Sequence, residues 1–148
     1  MSKFATGVTV VTTVYEKQIY GMTVNAFMSL SLNPKLVAVS IGKSTGMNER
    51  LTKIDQIGIS ILTEDQQRIS MHFAKQLREP IHIPFLYLKG IPVIDGALAT
   101  LACDIKDLVE AGDHRIVIAE VQEINIGEGK PLIYFNRAYE QLSAHTQA

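Results

Sequence analysis

The pattern of apolar and polar positions predicts a chain built mainly of short β-strands. Runs rich in Val, Ile and Thr, which favour strands, alternate with short turns that contain Gly, Pro or charged residues. These runs predict seven strands, at residues 7–15, 19–30, 35–41, 57–62, 99–105, 115–126 and 132–135. Because closing a sheet removes the exposed edges that such strands carry, the pattern favours an all-β barrel or sandwich with minor α-structure.

Two segments interrupt the strand pattern with helical spacing. Residues 45–54 place apolar side chains three or four positions apart, as on one face of a helix. Residues 63–74 begin with Thr63 and Gln66, the pattern of a capping box, which starts a helix. The stretch 78–96 contains three prolines, a density that breaks regular structure, and it therefore predicts a long surface loop.

Length and composition narrow the classes of function. The 148 residues show no repeat, linker or low-complexity tract, so we expect a single domain over residues 1–148. A net charge of −1 lacks the positive excess typical of nucleic-acid binding, and no apolar run is long enough to span a bilayer. The N-terminus has no signal-peptide pattern. The single cysteine, Cys103, lies mid-strand as an expected core residue and cannot form an internal disulfide. Together these features predict a cytoplasmic protein without a nucleic-acid or membrane partner.

Several common catalytic signatures are missing from the sequence. No Gly-x-Gly-x-x-Gly follows a strand, and the chain contains neither a Walker-type loop nor Gly-x-Ser-x-Gly. The four histidines lie without metal-ligand spacing at His72, His82, His114 and His145. With one cysteine beside them, no metal site is expected.

Polar residues inside an otherwise apolar strand form the first candidate site. The run GMTVNA, residues 21–26, places Thr23 and Asn25 beside small residues. Gly21 and Ala26 would let a flat ring approach the backbone closely, and amides with hydroxyls suit the edge of an isoalloxazine ring. A solvent-exposed strand face would carry the same residues, and the segment taken alone favours that alternative.

The second candidate segment ends a strand and begins a helix. The run SIGKSTG, residues 40–46, with Asn48 in the first helical turn, combines free backbone amides, hydroxyls and a lysine. This combination suits the phosphate of a nucleotide. The alternative is an N-cap at Ser44 or Thr45 with Lys43 in solvent, and because caps are far commoner than phosphate sites, the segment alone favours a cap.

A third candidate is the turn Gly-Asp-His at residues 112–114, which joins two predicted strands. His114 would reach a bound cofactor if Asp113 or a backbone group oriented its ring. The alternative is an ordinary turn histidine in solvent.

The last candidate segment follows the turn at residues 127–131. It contains Tyr134 and Arg137, and Arg137 would pair with a phosphate or stack on an aromatic ring. The alternative is a surface latch that ties down the end of the chain.

The order of these segments resembles that of the flavin reductase-like, FMN-binding split-barrel family. The matching runs are FATGVTVVTT at 4–13, GMTVNAFMSLSLNP at 21–34, VSIGKSTGMNERL at 39–51, FA at 73–74, GDH at 112–114 and PLIYFNRAY at 131–139. They extend over nearly the whole chain, and the likeness is greatest to the short reductase components of two-component flavin monooxygenases. Two features depart from the family: three residues precede FATG where relatives usually carry a helix, and Asn33-Pro34-Lys35 replaces a Pro-Pro pair.

The resemblance implies a Greek-key split β-barrel of the FMN-binding type, assembled as a homodimer with flavin at the subunit interface. It implies an NAD(P)H:flavin oxidoreductase that transfers a hydride from NADH or NADPH to FMN or FAD and supplies reduced flavin to an oxygenase component. By position, the flavin contacts would come from Thr23, Val24, Asn25 and Ala26 along the ring and ribityl chain, Ser40, Ile41, Gly42, Lys43, Ser44, Thr45 and Asn48 at the phosphate, and Phe73, Ala74, Tyr134 and Arg137 around the pocket. His114 would face the nicotinamide.

Hydride transfer between these two cofactors is chemistry that the cofactors carry themselves, which accounts for the missing nucleophile and acid–base pair. Two alternatives stay open. The first is an electron carrier resembling flavoredoxin, which would retain its flavin through dialysis. The second is a non-catalytic dimeric barrel that serves as a binding module, which would fail to bleach flavin when a reduced nicotinamide is added.

Overall fold

The computed structural model describes residues 1–143, which form twelve β-strands and two short α-helices; His145 lies outside them. The strands are β1 (Thr6–Gly7), β2 (Thr9–Tyr15), β3 (Gln18–Val24), β4 (Phe27–Leu32), β5 (Lys35–Gly42), β6 (Gln56–Ile61), β7 (Phe85–Leu88), β8 (Ile91–Ile94), β9 (Ala99–Ala111), β10 (His114–Ile126), β11 (Leu132–Phe135) and β12 (Ala138–Gln141). The helices are α1 (Gly46–Arg50), followed by a 3₁₀ turn at Leu51–Lys53, and α2 (Gln67–Phe73), preceded by a 3₁₀ turn at Glu64–Gln66.

A seven-stranded antiparallel sheet forms the body of the molecule. Its strand order is β3-β2-β6-β9-β10-β5-β4, in which several neighbours are not consecutive in the chain, as in Greek-key sheets. The two edge strands, β3 and β4, are joined only by Asn25 and Ala26. Because strands are spaced about 4.8 Å apart, two residues can connect the edges only if the sheet curls until they approach. The prediction of a mainly β, barrel-like fold with minor helix is confirmed.

Two apolar cores stabilise this arrangement. The interior of the curled sheet is filled by β-branched and other apolar side chains, among them Val11, Val39, Ile41, Ile57, Ile59, Leu101 and Val117. A second cluster lies where α2, β8 and β11 pack on the sheet, and it contains Val8, Val10, Leu62, Ile69, Ile94 and Leu132. The central strands β2 and β6 are buried on both faces, and successive residues enter different cores, as Val11 and Val10 do.

The predicted surface loop at 78–96 is wrong for its second half. There the chain forms the hairpin of β7 and β8, and β8 is buried over its whole length. Lys89 and Gly90 join the strands with φ of 51° and 76°, the two-residue turn whose twist suits a hairpin. Pro92 is tolerated because β8 pairs with one strand only, and its carbonyl accepts a hydrogen bond from the buried hydroxyl of Thr12.

Several strand boundaries also differ from the prediction. The predicted strand at 19–30 is two strands, β3 and β4, because the chain passes from one sheet edge to the other at Asn25–Ala26. Strand β9 continues to Ala111 as one arm of a long hairpin with β10. Its last residues were missed because they extend beyond the core, where Lys106 and Asp107 are exposed and the apolar alternation ends.

The start of the second helical segment is confirmed in detail. The amide of Thr63 donates to Oε1 of Gln66 at 3.0 Å, and both halves of the capping box are present. The segment begins as a 3₁₀ turn and continues as α2. Within residues 1–143, no helix is both long and apolar enough to cross a membrane.

Candidate functional site

Two cavities open beside the end of β3, where the edges of the curled sheet are joined. The smaller, of about 430 Å³, lies between β3, the start of α1 and the end of α2. The larger, of about 750 Å³, lies between the N-terminal segment, the β3–β4 link and the starts of β10 and β11. Thr23 lines the smaller cavity and Asn25, two residues later, lines the larger. One ligand bound along this strand end would therefore contact both.

The smaller cavity is suited to an anion. It brings together five of the residues predicted from the sequence, namely Thr23, Ser44, Thr45, Phe73 and Ala74. Arg50 and Lys75 add two cations, and none of the described residues that line the cavity is acidic. The hydroxyls of Ser44 and Thr45, together with these cations, are the groups that bind phosphate.

Thr45 holds the turn that leads into α1. Its hydroxyl donates to the carbonyl of Gly42 at 2.7 Å and accepts the amide of Asn48 at 3.3 Å, so it is the N-cap of the helix. The side-chain amide of Asn48 donates to the carbonyl of Lys43 at 3.1 Å. The cap that the sequence offered as an alternative is thus real, and the capping residue lines the cavity as well.

Arg50 is a functional candidate that the sequence reasoning missed. Its guanidinium lies 3.6 Å over the ring of Tyr20, and its Nη1 donates to the carbonyl of Gly46 at 2.7 Å. Its Nε is buried and has no hydrogen-bond partner among the described residues. A buried donor without a partner costs about 1–3 kcal/mol, which an anionic acceptor in the cavity would offset. The available signal was its spacing, one helical turn after Gly46.

Phe73 determines the shape of the smaller cavity. A Cβ placed on Gly21 would lie 2.5 Å from Cε1 of Phe73, so the flat ring that approaches the Gly21 backbone is this phenyl group. Phe73 also contacts the ring of Phe85 edge-on, with the centroids 6.4 Å apart. The sequence had assigned the space over Gly21 to a ligand ring; the protein itself occupies it.

Four predicted residues meet in the larger cavity, namely Asn25, Ala26, His114 and Tyr134. Apolar side chains, including Phe4 and Phe27, complete its lining. Nδ1 of His114 lies 2.8 Å from Oδ1 of Asp113, and this hydrogen bond holds the pKa of the Asp113 carboxyl below its usual value. The cavity therefore combines an apolar wall with an oriented, half-exposed imidazole.

The other predicted residues line neither cavity. The side chains of Val24 and Ile41 are buried in the core, so only their backbone groups are available to a ligand. Arg137 is exposed in the β11–β12 turn, with φ of 64°. Of the remaining predicted residues, Ser40 and Gly42 lie at the end of β5, Lys43 lies in the turn that follows, and Asn48 lies in α1.

Lys43 is engaged by an acidic residue on the neighbouring hairpin. Its ammonium forms an ion pair with Glu110, which also accepts from Arg115. These hydrogen bonds, that of Lys43 first and that of Arg115 second, hold the pKa of the Glu110 carboxyl below its usual value. The amide of Lys43 donates to the carbonyl of Asp113 at 2.9 Å, so this cluster links the turn before α1 to the turn that carries His114.

Cys103 is a core residue. Its side chain is fully buried, and burial, aided by the charge of Asp104, raises the pKa of its thiol to about 12. A thiol with so high a pKa is not a nucleophile at neutral pH. Across the part of the chain that the structure covers, no three His, Cys, Asp or Glu side chains lie close enough together to hold a metal ion.

The two cavities together fit a flavin nucleotide. The smaller offers hydroxyls, two cations and a buried donor that lacks an acceptor, as a phosphate requires. The larger offers apolar walls beside the polar backbone and side chain of Asn25, as a ring with a polar edge requires.

Comparisons with known proteins give the same result. A family model described as a flavin reductase like domain matches residues 1–143. The chain is 39% identical over 145 residues to an NADH-dependent flavin reductase of a Rhodococcus species, and this alignment covers 96% of this chain and 82% of that protein. It is 41% identical over 143 residues to the reductase component of 4-hydroxyphenylacetate 3-monooxygenase from Thermus thermophilus, covering 96% and 92%. The solved structure of the flavin reductase PheA2 in its native state superposes with a TM-score of 0.94 at 48% identity, covering 97% of this chain and 94% of that one.

Proposed function

The chain belongs to the flavin reductase-like family, and from that premise we propose that it transfers a hydride from NADH to FMN or FAD. The observation that carries this proposal is the pair of cavities at the end of β3, one cationic and hydroxyl-lined, the other apolar. When bound, the flavin and nicotinamide rings supply the hydride chemistry themselves. The chain has to bind, orient and shield them.

The phosphate end of the flavin is assigned to the smaller cavity. Ser44 would donate a hydroxyl hydrogen bond to the phosphate, and Arg50 would add a charge-assisted bond, while Thr45 holds the turn through its bond to the carbonyl of Gly42. Arg50 is held in place by Tyr20 and by the carbonyl of Gly46, so little side-chain entropy would be lost when it binds. Thr23 is similarly fixed, because its hydroxyl donates to the carbonyl of Ser70 at 2.7 Å.

The flavin ring is assigned to the strand end at Asn25 and Ala26, and the nicotinamide to the side of His114. The Asp113 carboxylate favours a proton on Nδ1 of His114. Nε2 is then left as an acceptor for the carboxamide N–H of the nicotinamide. In this assignment His114 positions the hydride donor against the flavin ring, and positioning of this kind is the main contribution that the reaction needs from the protein.

We also infer a homodimer. Strand β4 is an edge of the sheet and exposes Met28, Leu30 and Leu32. An edge strand with exposed apolar side chains favours pairing with another chain. The larger cavity lies at the β3–β4 link beside this edge, so a second subunit there would cover the ring-binding side.

The cellular role proposed for the chain is to supply reduced flavin to an oxygenase; the Thermus thermophilus relative is the reductase component of a monooxygenase. We further infer that residues 1–148 act as a single domain in the cytoplasm. The family match over residues 1–143 supports the single domain, and a chain whose one cysteine is buried and forms no disulfide suits a cytoplasmic location.

Anaerobic titration of the purified protein tests the enzyme assignment. The protein is mixed with FMN or FAD, and NADH or NADPH is added while the flavin absorbance is followed. We expect NADH to bleach the flavin catalytically. Flavin that binds but is not reduced by either nicotinamide would contradict the reductase assignment and favour a binding module. Flavin that stays on the protein through dialysis would favour an electron carrier.

A further inference from the structure

Lys43 is next to the smaller cavity in sequence, but its side chain is held elsewhere. Ser44 and Thr45 line the cavity, whereas the ammonium of Lys43 forms an ion pair with Glu110 on β9. A phosphate group at the start of α1 would carry a charge of about −2. It would compete with Glu110 for the same ammonium, which lies on a flexible four-carbon stem.

Glu110 also pairs with Arg115, which is less exposed than Lys43, so Lys43 is the partner that can move away from Glu110. Arg115 lies opposite Glu110 in the β9–β10 register, and its Nε and Nη2 lie 3.0 and 2.9 Å from Oε1 of Glu110. The Arg115 side chain is 20% exposed, against 39% for Lys43. If Lys43 moves toward a phosphate, Glu110 keeps its contacts with Arg115. Movement of Lys43 from Glu110 to the phosphate therefore breaks one exposed ion pair.

We propose that Glu110 is a positioning residue that restrains Lys43 and so weakens the retention of flavin by the protein. This inference rests on the proposed function. An exposed ion pair changes an equilibrium by at most about fivefold, so the restraint lowers flavin affinity modestly. A modest affinity suits a reductase whose reduced flavin has to leave for another component.

The variant E110Q tests the proposal, because glutamine can still accept from Arg115 but has no charge to hold Lys43. We expect FMN to bind to E110Q roughly two- to fivefold more tightly than to the wild type, with a correspondingly slower dissociation. Affinity is measured by quenching of flavin fluorescence, and dissociation by stopped flow. Riboflavin, which lacks the phosphate, should bind equally to both proteins.

A double-mutant cycle with K43M separates this mechanism from a general effect of charge. The gain from E110Q should vanish in the K43M background. A matched control is D107N, which removes another exposed acid of β9 whose carboxylate accepts from the amide of Leu108 at 2.8 Å. D107N should leave FMN affinity unchanged, and E110A, which removes the acceptor altogether, should show the same gain as E110Q.

The proposal is overturned if E110Q and E110A bind FMN no more tightly than the wild type. It is also overturned if the gain persists with K43M, or if D107N produces the same gain. Thermal melting of each variant verifies that it is folded. A wild-type protein that binds neither FMN nor FAD would instead overturn the proposed function, and this inference with it, so the two failures are distinguishable.

Discussion

At the scale of single residues, Gly21 shows how one missing side chain shapes the candidate site. The ring of Phe73 packs directly on the Gly21 backbone, at a place where no Cβ fits. This contact joins the end of α2 to β3 and thereby forms a wall of the smaller cavity. A glycine in a strand often marks such a close approach. The sequence identified the glycine, but it did not identify the ring that lies against it.

We predict that Gly21→Ala lowers the free energy of unfolding by about 1–3 kcal/mol, because the new methyl group forces Phe73 to move. The measurement is urea unfolding followed by circular dichroism. Gly7→Ala is the matched control, since a Cβ on Gly7 meets no atom within 4 Å, and its effect should stay within about 0.5 kcal/mol. Equal stability of the two variants would contradict the Phe73 contact.

Arg50 is a residue that sequence reasoning alone passed over. A charged residue in a short helical segment is usually solvated. Its relevance depends on Tyr20, thirty positions earlier, which carries its guanidinium at 3.6 Å. It depends also on Phe73 and Lys75, which line the same cavity. These residues are far apart in the chain, so the local sequence around Arg50 does not indicate that they come together.

At the scale of elements, the turn before α1 is the best-predicted part of the site. The sequence offered a cap and an anion site there as alternatives and favoured the cap; Thr45 caps the helix, and it also lines the smaller cavity. Asn48 ties the helix back to the turn through the carbonyl of Lys43. This bond restrains the backbone that carries Ser44 and Thr45. Asn48 would therefore affect the cavity indirectly, by fixing the turn that lines it.

We predict that Asn48→Ala weakens flavin binding roughly two- to tenfold, the worth of one net hydrogen bond, while kcat at saturating flavin stays nearly unchanged. Flavin affinity is measured by fluorescence titration and kcat by NADH oxidation. Glu49→Ala, at the exposed neighbouring position, is the control and should change neither quantity. Equal flavin affinities of Asn48→Ala and the wild type would remove Asn48 from the site.

The β7–β8 hairpin shows where element prediction failed. Proline density favoured a loop, but proline restricts only the strand positions whose N–H is needed. Strand β8 has a partner strand on one side only, so no N–H is needed at Pro92 for pairing on the other side. Strand β8 packs on β2 and β6. Whether a proline breaks a strand therefore depends on which neighbour the strand has, and local composition does not contain that information.

At the scale of the whole molecule, the curled sheet brings the candidate site to the seam between its two edges. Strands β3 and β4 approach there, and the larger cavity opens beside the exposed apolar side chains of β4. In the proposed homodimer, this edge would be covered by a second subunit. Flavin binding and dimer formation would then depend on the same region.

We predict that Met28→Glu combined with Leu30→Glu dissociates the dimer, since charged groups on a paired apolar edge would be desolvated without partners. Wild-type protein should sediment with the mass of two chains, and the variant with that of one. Tyr87→Glu, at an exposed residue of β7, is the control and should remain dimeric. A wild-type protein that sediments as a monomer would refute the dimer itself.

The β-rich pattern, the capping box at Thr63 and a helix cap at Ser44 or Thr45 follow from the sequence alone, because strand preference, capping and turn chemistry involve residues a few positions apart. Three contacts depend on the folded chain: Phe73 occupies the space over Gly21, Arg50 and Lys75 line one cavity, and Lys43 pairs with Glu110. These contacts join distant segments, and the register of the strands and the curl of the sheet determine which of them meet.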